Sequence, residues 1–142
     1  MTDKTTNDIQ RSLENCKTIA VVGLSPKTHR DSFRVAQYMQ AHGFRIIPIN
    51  PNAAEILGQR AYASLTEAAR HVAIDMVNCF RNAEDIPPLA IEAIAIGARS
   101  LWMQIGIQNP DAAAKAEAAG LCVVQDRCLM VEHAKLARMQ PS

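Results

Sequence analysis

Aromatic side chains are scarce in this chain. One Trp, two Tyr and three Phe make up 4% of the 142 residues, although 49% of the residues are hydrophobic. Aliphatic Ala, Ile, Val and Leu must therefore fill the core, as they do where helices cover both faces of a parallel sheet. Excess charge is missing too: 15 basic and 14 acidic residues leave a formal net charge of +1. That near-balance argues against broad nucleic-acid binding, which needs a basic stripe, but it allows a small basic pocket. No apolar run approaches the ~18 residues of a membrane span. The polar start, Met1 to Asp8, has no apolar signal core. Cysteine is limited to Cys16, Cys79, Cys122 and Cys128, and no two of them form a CxxC pair. No three His, Cys or carboxylate side chains have metal-site spacing. GxSxG is absent, and no Ser-His-Asp arrangement is suggested. The expectation is one domain over residues 1–142, with 1–7 frayed, in a soluble cytoplasmic protein with free thiols.

What is present is an alternation of short apolar runs and amphipathic stretches. Thr18 to Gly23 is apolar, β-branched and ends in Gly, which reads as a buried parallel strand. Phe44–Asn50, Ile74–Phe80, Ser100–Ile105 and Leu121–Gln125 read as four more strands. Pro48 sits awkwardly in the second, because Pro removes a ladder donor and favours an edge or a bulge. Helices are expected from a cap at Asn7 or Asp8, over Ser32–His42 with Asp31 or Ser32 as cap, over Thr66–His71 capped by Thr66 or Ser64, over Asn82–Ile96 capped by Asn82, after Asn109-Pro110-Asp111, and over Leu129–Met139. Strands alternating with helices imply a Rossmann-like α/β fold, a doubly wound parallel sheet of about five strands with helices on both faces. The strand order expected is 3-2-1-4-5. Ligands of such sheets bind beyond the carboxyl ends of the strands, at the switch point. The loops at Gly23, Asn50, Phe80, Gln104 and Asp126 should therefore face the ligand, beside the ends of strands one and four.

The loop from Gly23 to Ser32 carries the most chemistry. Gly23 lets the backbone turn and approach a ligand without a Cβ in the way. The helix from Ser32 directs its free N–H groups and positive dipole end at the crevice, which favours a phosphate. Ser25 can donate a hydroxyl. Lys27, His29 and Arg30 add cations or donors, Arg30 as a bidentate fork. GxGxxG is absent, and Asn50 stands where an NAD site usually places Asp or Glu. GK[ST] is missing as well, so the loop is neither a dinucleotide fingerprint nor a Walker A loop.

Four blocks carry a resemblance: Val22-Gly-Leu-Ser-Pro-Lys-Thr-His-Arg-Asp-Ser32, Ile47-Pro-Ile-Asn-Pro51, Trp102-Met-Gln-Ile-Gly106 and Gln125-Asp-Arg-Cys-Leu-Met-Val-Glu-His133. Together they resemble the small, stand-alone CoA-binding proteins. Those are similar to the N-terminal CoA-binding domain of the succinyl-CoA synthetase α subunit. The resemblance covers about residues 10 to 138. It implies that Gly23, Ser25, Pro26 and Arg30 wrap the phosphates of coenzyme A, and that Asn50 and Pro51 border its adenosine or pantetheine. It implies that the loop at Phe80 and Arg81 closes over the same ligand, with Gln104 near the pantetheine. The synthetase's phosphohistidine lies in a second domain that is not represented in this sequence. Thr28 stands where many relatives have Pro, a mild change in loop stiffness.

The remaining candidates have plainer readings. Cys128 follows Arg127 at the start of the last helix, where a thiol pKa can fall, but a packed thiol is the simpler expectation. Cys79 and Cys122 fall within strands and read as core; Cys16 precedes the first strand and reads as packed or exposed. Glu132 and His133 lie on a helix body and read as structural or surface residues. His42 and His71 sit at helix ends. Trp102, within a strand, reads as core. The function expected is binding of coenzyme A or an acyl-CoA without catalysis. The alternatives are an NAD(P)-dependent oxidoreductase and a CoA-sensing regulatory subunit of a larger enzyme. A homodimer or a partner enzyme stays open.

Overall fold

The computed structural model describes residues 3–139. Helix α1 (Lys4–Asn15) comes first, then β1 (Thr18–Val22), α2 (Asp31–Ala41) and β2 (Arg45–Ile49). A small hairpin of β3 (Glu55–Ile56) and β4 (Gln59–Arg60) follows, then α3 (Leu65–Ala69) and β5 (Met76–Cys79). A 3₁₀ turn (Ala83–Asp85) leads into α4 (Ile86–Ala95), β6 (Ser100–Met103), α5 (Pro110–Ala118), β7 (Cys122–Val124) and α6 (Leu129–Met139).

Five strands form one parallel sheet in the order β2-β1-β5-β6-β7. The α/β fold is the expected one, but the strand order is not. Counting the five strands of this sheet alone, the order is 2-1-3-4-5 rather than 3-2-1-4-5. Two features decide it. Pro48 in β2 has no N–H, and its carbonyl points outward to accept the Tyr62 N–H at 3.0 Å. A strand beyond β2 would need the missing donor, so β2 stays at the edge. Asp75, just before β5, accepts the Lys17 and Thr18 N–H groups at 2.9 and 3.0 Å and donates its own N–H to the Thr18 carbonyl. The start of β5 is thereby pinned to the start of β1. The chain reversal lies between β1 and β5, not between the first and fourth strands. The crevice opens beside Gly23 and Phe80.

Alternate residues of the strands feed two aliphatic cores. Ala20, Val22, Ile47, Val77, Cys79, Leu101 and Met103 pack toward α3, α4 and α5. Ile19, Val21, Ile46, Met76, Trp102 and Val124 pack with α2 and α6 residues such as Val35, Met39 and Leu129. Burying one such Val, Leu or Ile side chain fully is worth about 1.5–3 kcal/mol. Trp102 is fully buried, as its strand position suggests, and its Nε1–H donates to the Arg127 carbonyl at 2.8 Å. Helix α1 packs against β7 and α6. Among the described residues no helix is long and apolar enough to cross a membrane.

Several element starts differ from the sequence expectation. Helix α1 begins a turn early, because Asp3 rather than Asn7 or Asp8 accepts the Thr6 N–H, at 2.8 Å. Residues 3–7 are thus ordered rather than frayed, and 1–2 lie outside the described residues. Neither Asp31 nor Ser32 caps α2: both lie inside its first turn, and the cap position, Arg30, makes no side-chain bond to the helix. Asn82 does not cap either. Pro87 and Pro88 lack the N–H groups that would bond the carbonyls of residues 83 and 84, so the α-ladder starts at Ile86 after the 3₁₀ turn. The Ala83 carbonyl is taken instead by Asn109 Nδ2 at 3.0 Å.

Candidate functional site

Three adjoining clefts run along the carboxyl edge of the sheet. The first, about 530 Å³, lies between the end of β2 and the first turn of α4; Gly23, Ser25, Asn50, Pro51 and Arg81 line it. The second, about 450 Å³, lies over the β1–α2 loop, against Gly23, Ser25, Lys27, Arg30, Ser32 and Phe80. The third, about 230 Å³, lies at the end of β6, against Phe80, Arg81, Gln104, Ile105 and Ile107. Gly23 and Ser25 are shared by the first two, Phe80 by the last two, so the clefts form one groove. Ten of the eleven residues expected at the site line it. The eleventh, Pro26, and the candidate His29 are exposed on the loop and are not among the lining residues.

The groove's floor is set by Gly23. Its φ is +87°, and a Cβ there would stand 2.6 Å from the Phe80 carbonyl. The Gly23 N–H donates to the Ile49 carbonyl, and the Phe80 N–H to the Val22 carbonyl. The loop then braces itself. Ser32 Oγ accepts the Ser25 N–H at 3.0 Å, and Ser25 Oγ accepts the Lys27 N–H at 3.1 Å. Asn50 Nδ2 donates to the Leu24 carbonyl at 2.9 Å while its Oδ1 accepts the Asn52 N–H at 2.8 Å. Asn50 therefore ties the β2 turn to the β1 loop.

Charge is divided along the groove. Glu84, Asp85 and Glu92 line the first cleft against one guanidinium, Arg81, whose Nε lies 3.6 Å from the Asp85 carboxylate. Glu92 is already engaged by the Thr66 N–H and hydroxyl. Lys27 and Arg30 make the second cleft basic, and its one acid, Asp31, is held by Arg34 at 2.5 Å. The three acids of the first cleft were not expected from the sequence.

One buried pair also escaped the sequence reading. Asn78 on β5 is fully buried and donates from Nδ2 to Gln104 Oε1 at 3.2 Å. Gln104 Oε1 also accepts the Leu129 N–H, the first of α6, at 3.0 Å. The only signal in the sequence was a polar residue amid the apolar stretch Met76 to Phe80.

The Asp126 loop does not reach the groove as expected. Asp126 has a φ of +57°, and its carboxylate bridges the Gly106 N–H at 2.6 Å and Gln108 Nε2 at 3.2 Å. Cys128 is half-buried against the α2/α6 core. Cys16 and Cys79 are buried, and burial pushes both thiols up to about 12. Cys122 is only half-buried, facing α1 rather than the core interior, and its Sγ lies 3.2 Å from the Asp8 carbonyl. His133 meets the Tyr38 hydroxyl at 3.0 Å and packs against the rings of His42 and Phe44. Glu132 is buried near Lys135 and Arg127. No histidine or cysteine lines the three clefts. Among the described residues no three His, Cys, Asp or Glu side chains are placed to hold a metal ion.

Residues 17–134 match a family model described as a CoA binding domain. The Bacillus subtilis protein YneT is 40% identical over 127 residues, which cover 89% of this chain and 93% of YneT. A solved structure of a Pyrococcus horikoshii OT3 protein is 37% identical with a TM-score of 0.87, covering 94% of this chain and 92% of that one. A dinucleotide-forming acetyl-coenzyme A synthetase 1 of Ca. Korarchaeum cryptofilum has a TM-score of 0.68 at 18% identity. The match covers 80% of this chain and 26% of the synthetase, and it shares the fold.

Proposed function

Because this chain belongs to the CoA binding domain family, we propose that its groove binds coenzyme A or an acyl-CoA, without catalysis of its own. The observation that carries the reading is the second cleft. Helix α2 starts there with no side-chain cap, whereas α1, α3 and α5 are capped by Asp3, Ser64 and Asn109; α4 is uncapped too, but Pro87 and Pro88 in its first turn leave it fewer N–H groups to offer. Its first N–H groups are left for an anion, and the helix dipole favours one. Lys27 and Arg30 stand beside them. The diphosphate of the ligand belongs in that cleft. The nucleoside belongs in the larger cleft against Ile49 and Pro51, and the pantetheine runs past Phe80 into the smallest.

A binding role fits the serine hydroxyls, since Ser25 and Ser32 are engaged in bracing the loop. One observation favours an NAD-type ligand instead: Glu84 and Asp85 could accept ribose hydroxyls in the first cleft. Against it, Asn50 holds the place at the end of β2 and is spent on Leu24 and Asn52. Mass spectrometry of ligand released from the purified protein tests the reading. Coenzyme A or an acyl-CoA is expected, and a stoichiometric dinucleotide would overturn it.

A further inference from the structure

We propose that Asn78 and Gln104 form a carbonyl-recognition site at the end of β6, in which Asn78 positions the Gln104 amide to donate into the smallest cleft. The proposal rests on the CoA reading and names the part of the ligand that the cleft takes.

The orientation of both amides follows from hydrogen-bond chemistry. The Leu129 N–H can only donate, so the Gln104 atom 3.0 Å from it must be the oxygen. The Asn78 atom facing that oxygen at 3.2 Å must then be its nitrogen. Gln104 Oε1 has both lone pairs occupied. Its Nε2 is left with two donors and, among the described residues, no protein acceptor. Gln104 is only 4% exposed, yet it is a wall of the cleft beside Phe80 and Ile105. Asp31, Arg81 and Asn82 share this cleft with Phe80, Ile105 and Ile107, but the Gln104 amide is itself uncharged, and an uncharged donor suits a neutral acceptor, a carbonyl oxygen, rather than a phosphate.

Asn78 adds an independent observation. It is fully buried, and its Oδ1 has no hydrogen-bond partner among the described residues. A leucine of similar volume would avoid that cost and pack the sheet as well. What the amide gives in return is one donor that locks Gln104 Oε1 inward and so turns Nε2 outward. A pantetheine amide and an acyl thioester both present the required carbonyl.

Calorimetry with three ligands tests this. Coenzyme A has the pantetheine amides, acetyl-CoA adds a thioester, and adenosine 3′,5′-bisphosphate has neither. Gln104→Glu keeps an oxygen for both internal bonds but replaces the donor with an acceptor. It should weaken acetyl-CoA, which carries both kinds of carbonyl, by about tenfold and leave adenosine 3′,5′-bisphosphate unchanged. An equal loss for coenzyme A and acetyl-CoA identifies a pantetheine amide; a loss for acetyl-CoA alone identifies the thioester. Asn78→Ala should show the same split in smaller degree, which a merely structural role would not produce. Should either variant fail to fold, the Gln104 side-chain NH₂ signals of the wild type in a ¹H–¹⁵N spectrum serve instead. They should move with coenzyme A or acetyl-CoA and not with the bisphosphate. Loss of all three ligands in parallel, or unmoved NH₂ signals under saturating coenzyme A and acetyl-CoA, would overturn the inference and leave the CoA reading standing. Wild-type protein silent to both coenzyme A and acetyl-CoA would overturn that reading, and this inference with it.

Discussion

A Cβ at Gly23 would stand 2.6 Å from the carbonyl oxygen of Phe80. The β1 turn and the β5 turn therefore touch backbone to backbone, and the groove exists because nothing larger than hydrogen separates them. Gly23 also has a φ of +87°, where any side chain is strained. Gly23→Ala should cost about 2–5 kcal/mol, the sum of the left-handed penalty and the steric push on Phe80. Urea unfolding measures it. A midpoint equal to wild type would show that the two turns part easily.

Arg30 is exposed, and the α2 cap position it holds uses only its backbone. Arg30→Ala should leave the thermal midpoint in place and weaken coenzyme A by about tenfold, the worth of one charge-assisted contact to a phosphate. Parallel calorimetry and thermal scans check both halves. Unchanged affinity would remove Arg30 from the phosphate cleft.

His133 carries a pH dependence. Burial, and then His42, hold its imidazole below the ordinary histidine value of 6.5. A histidine kept neutral in the fold takes up a proton more readily once the chain unfolds. The stability it contributes is complete above about pH 6.5 and is lost as pH falls from there through the depressed folded value. Thermal midpoints from pH 8 to pH 5 should drop on the acid side, and His133→Gln should flatten that slope. Identical profiles for the two proteins would show that His133 does not titrate differently on folding.

Cys16 and Cys79 should resist alkylation at pH 8 in the native protein, because both are buried and both thiols are pushed up to about 12. Iodoacetamide followed by peptide mass mapping checks this. Both should label fully once the chain is unfolded in urea. Rapid native labelling of Cys79 would mean that β5 opens readily.

Much of this was legible because it is local. The apolar run ending at Gly23 marked β1 and its turn, and Asn109-Pro110 marked the start of α5, where Asn109 does accept the Ala112 N–H. Strand order was misread because it is set by long-range contacts. Asp75 reaches back to Lys17 and Thr18 across more than fifty residues, and periodicity carries no trace of that. Pro48 held the clue, since its awkwardness vanishes at an edge. At the site, residue types were readable but their partners were not. Asn50 and Ser32 looked like ligand contacts; both line the groove, yet their side chains brace Leu24 and Ser25. Asn78 was hidden because a buried amide in a strand declares itself only when Gln104, just past the end of β6, is beside it.

The proposed ligand of this groove is coenzyme A. Isothermal titration of the wild-type protein with coenzyme A and with NAD tests it most directly. One coenzyme A per chain with a Kd of about micromolar, and no heat from NAD, is the predicted result. Saturable NAD binding with coenzyme A silent would contradict it.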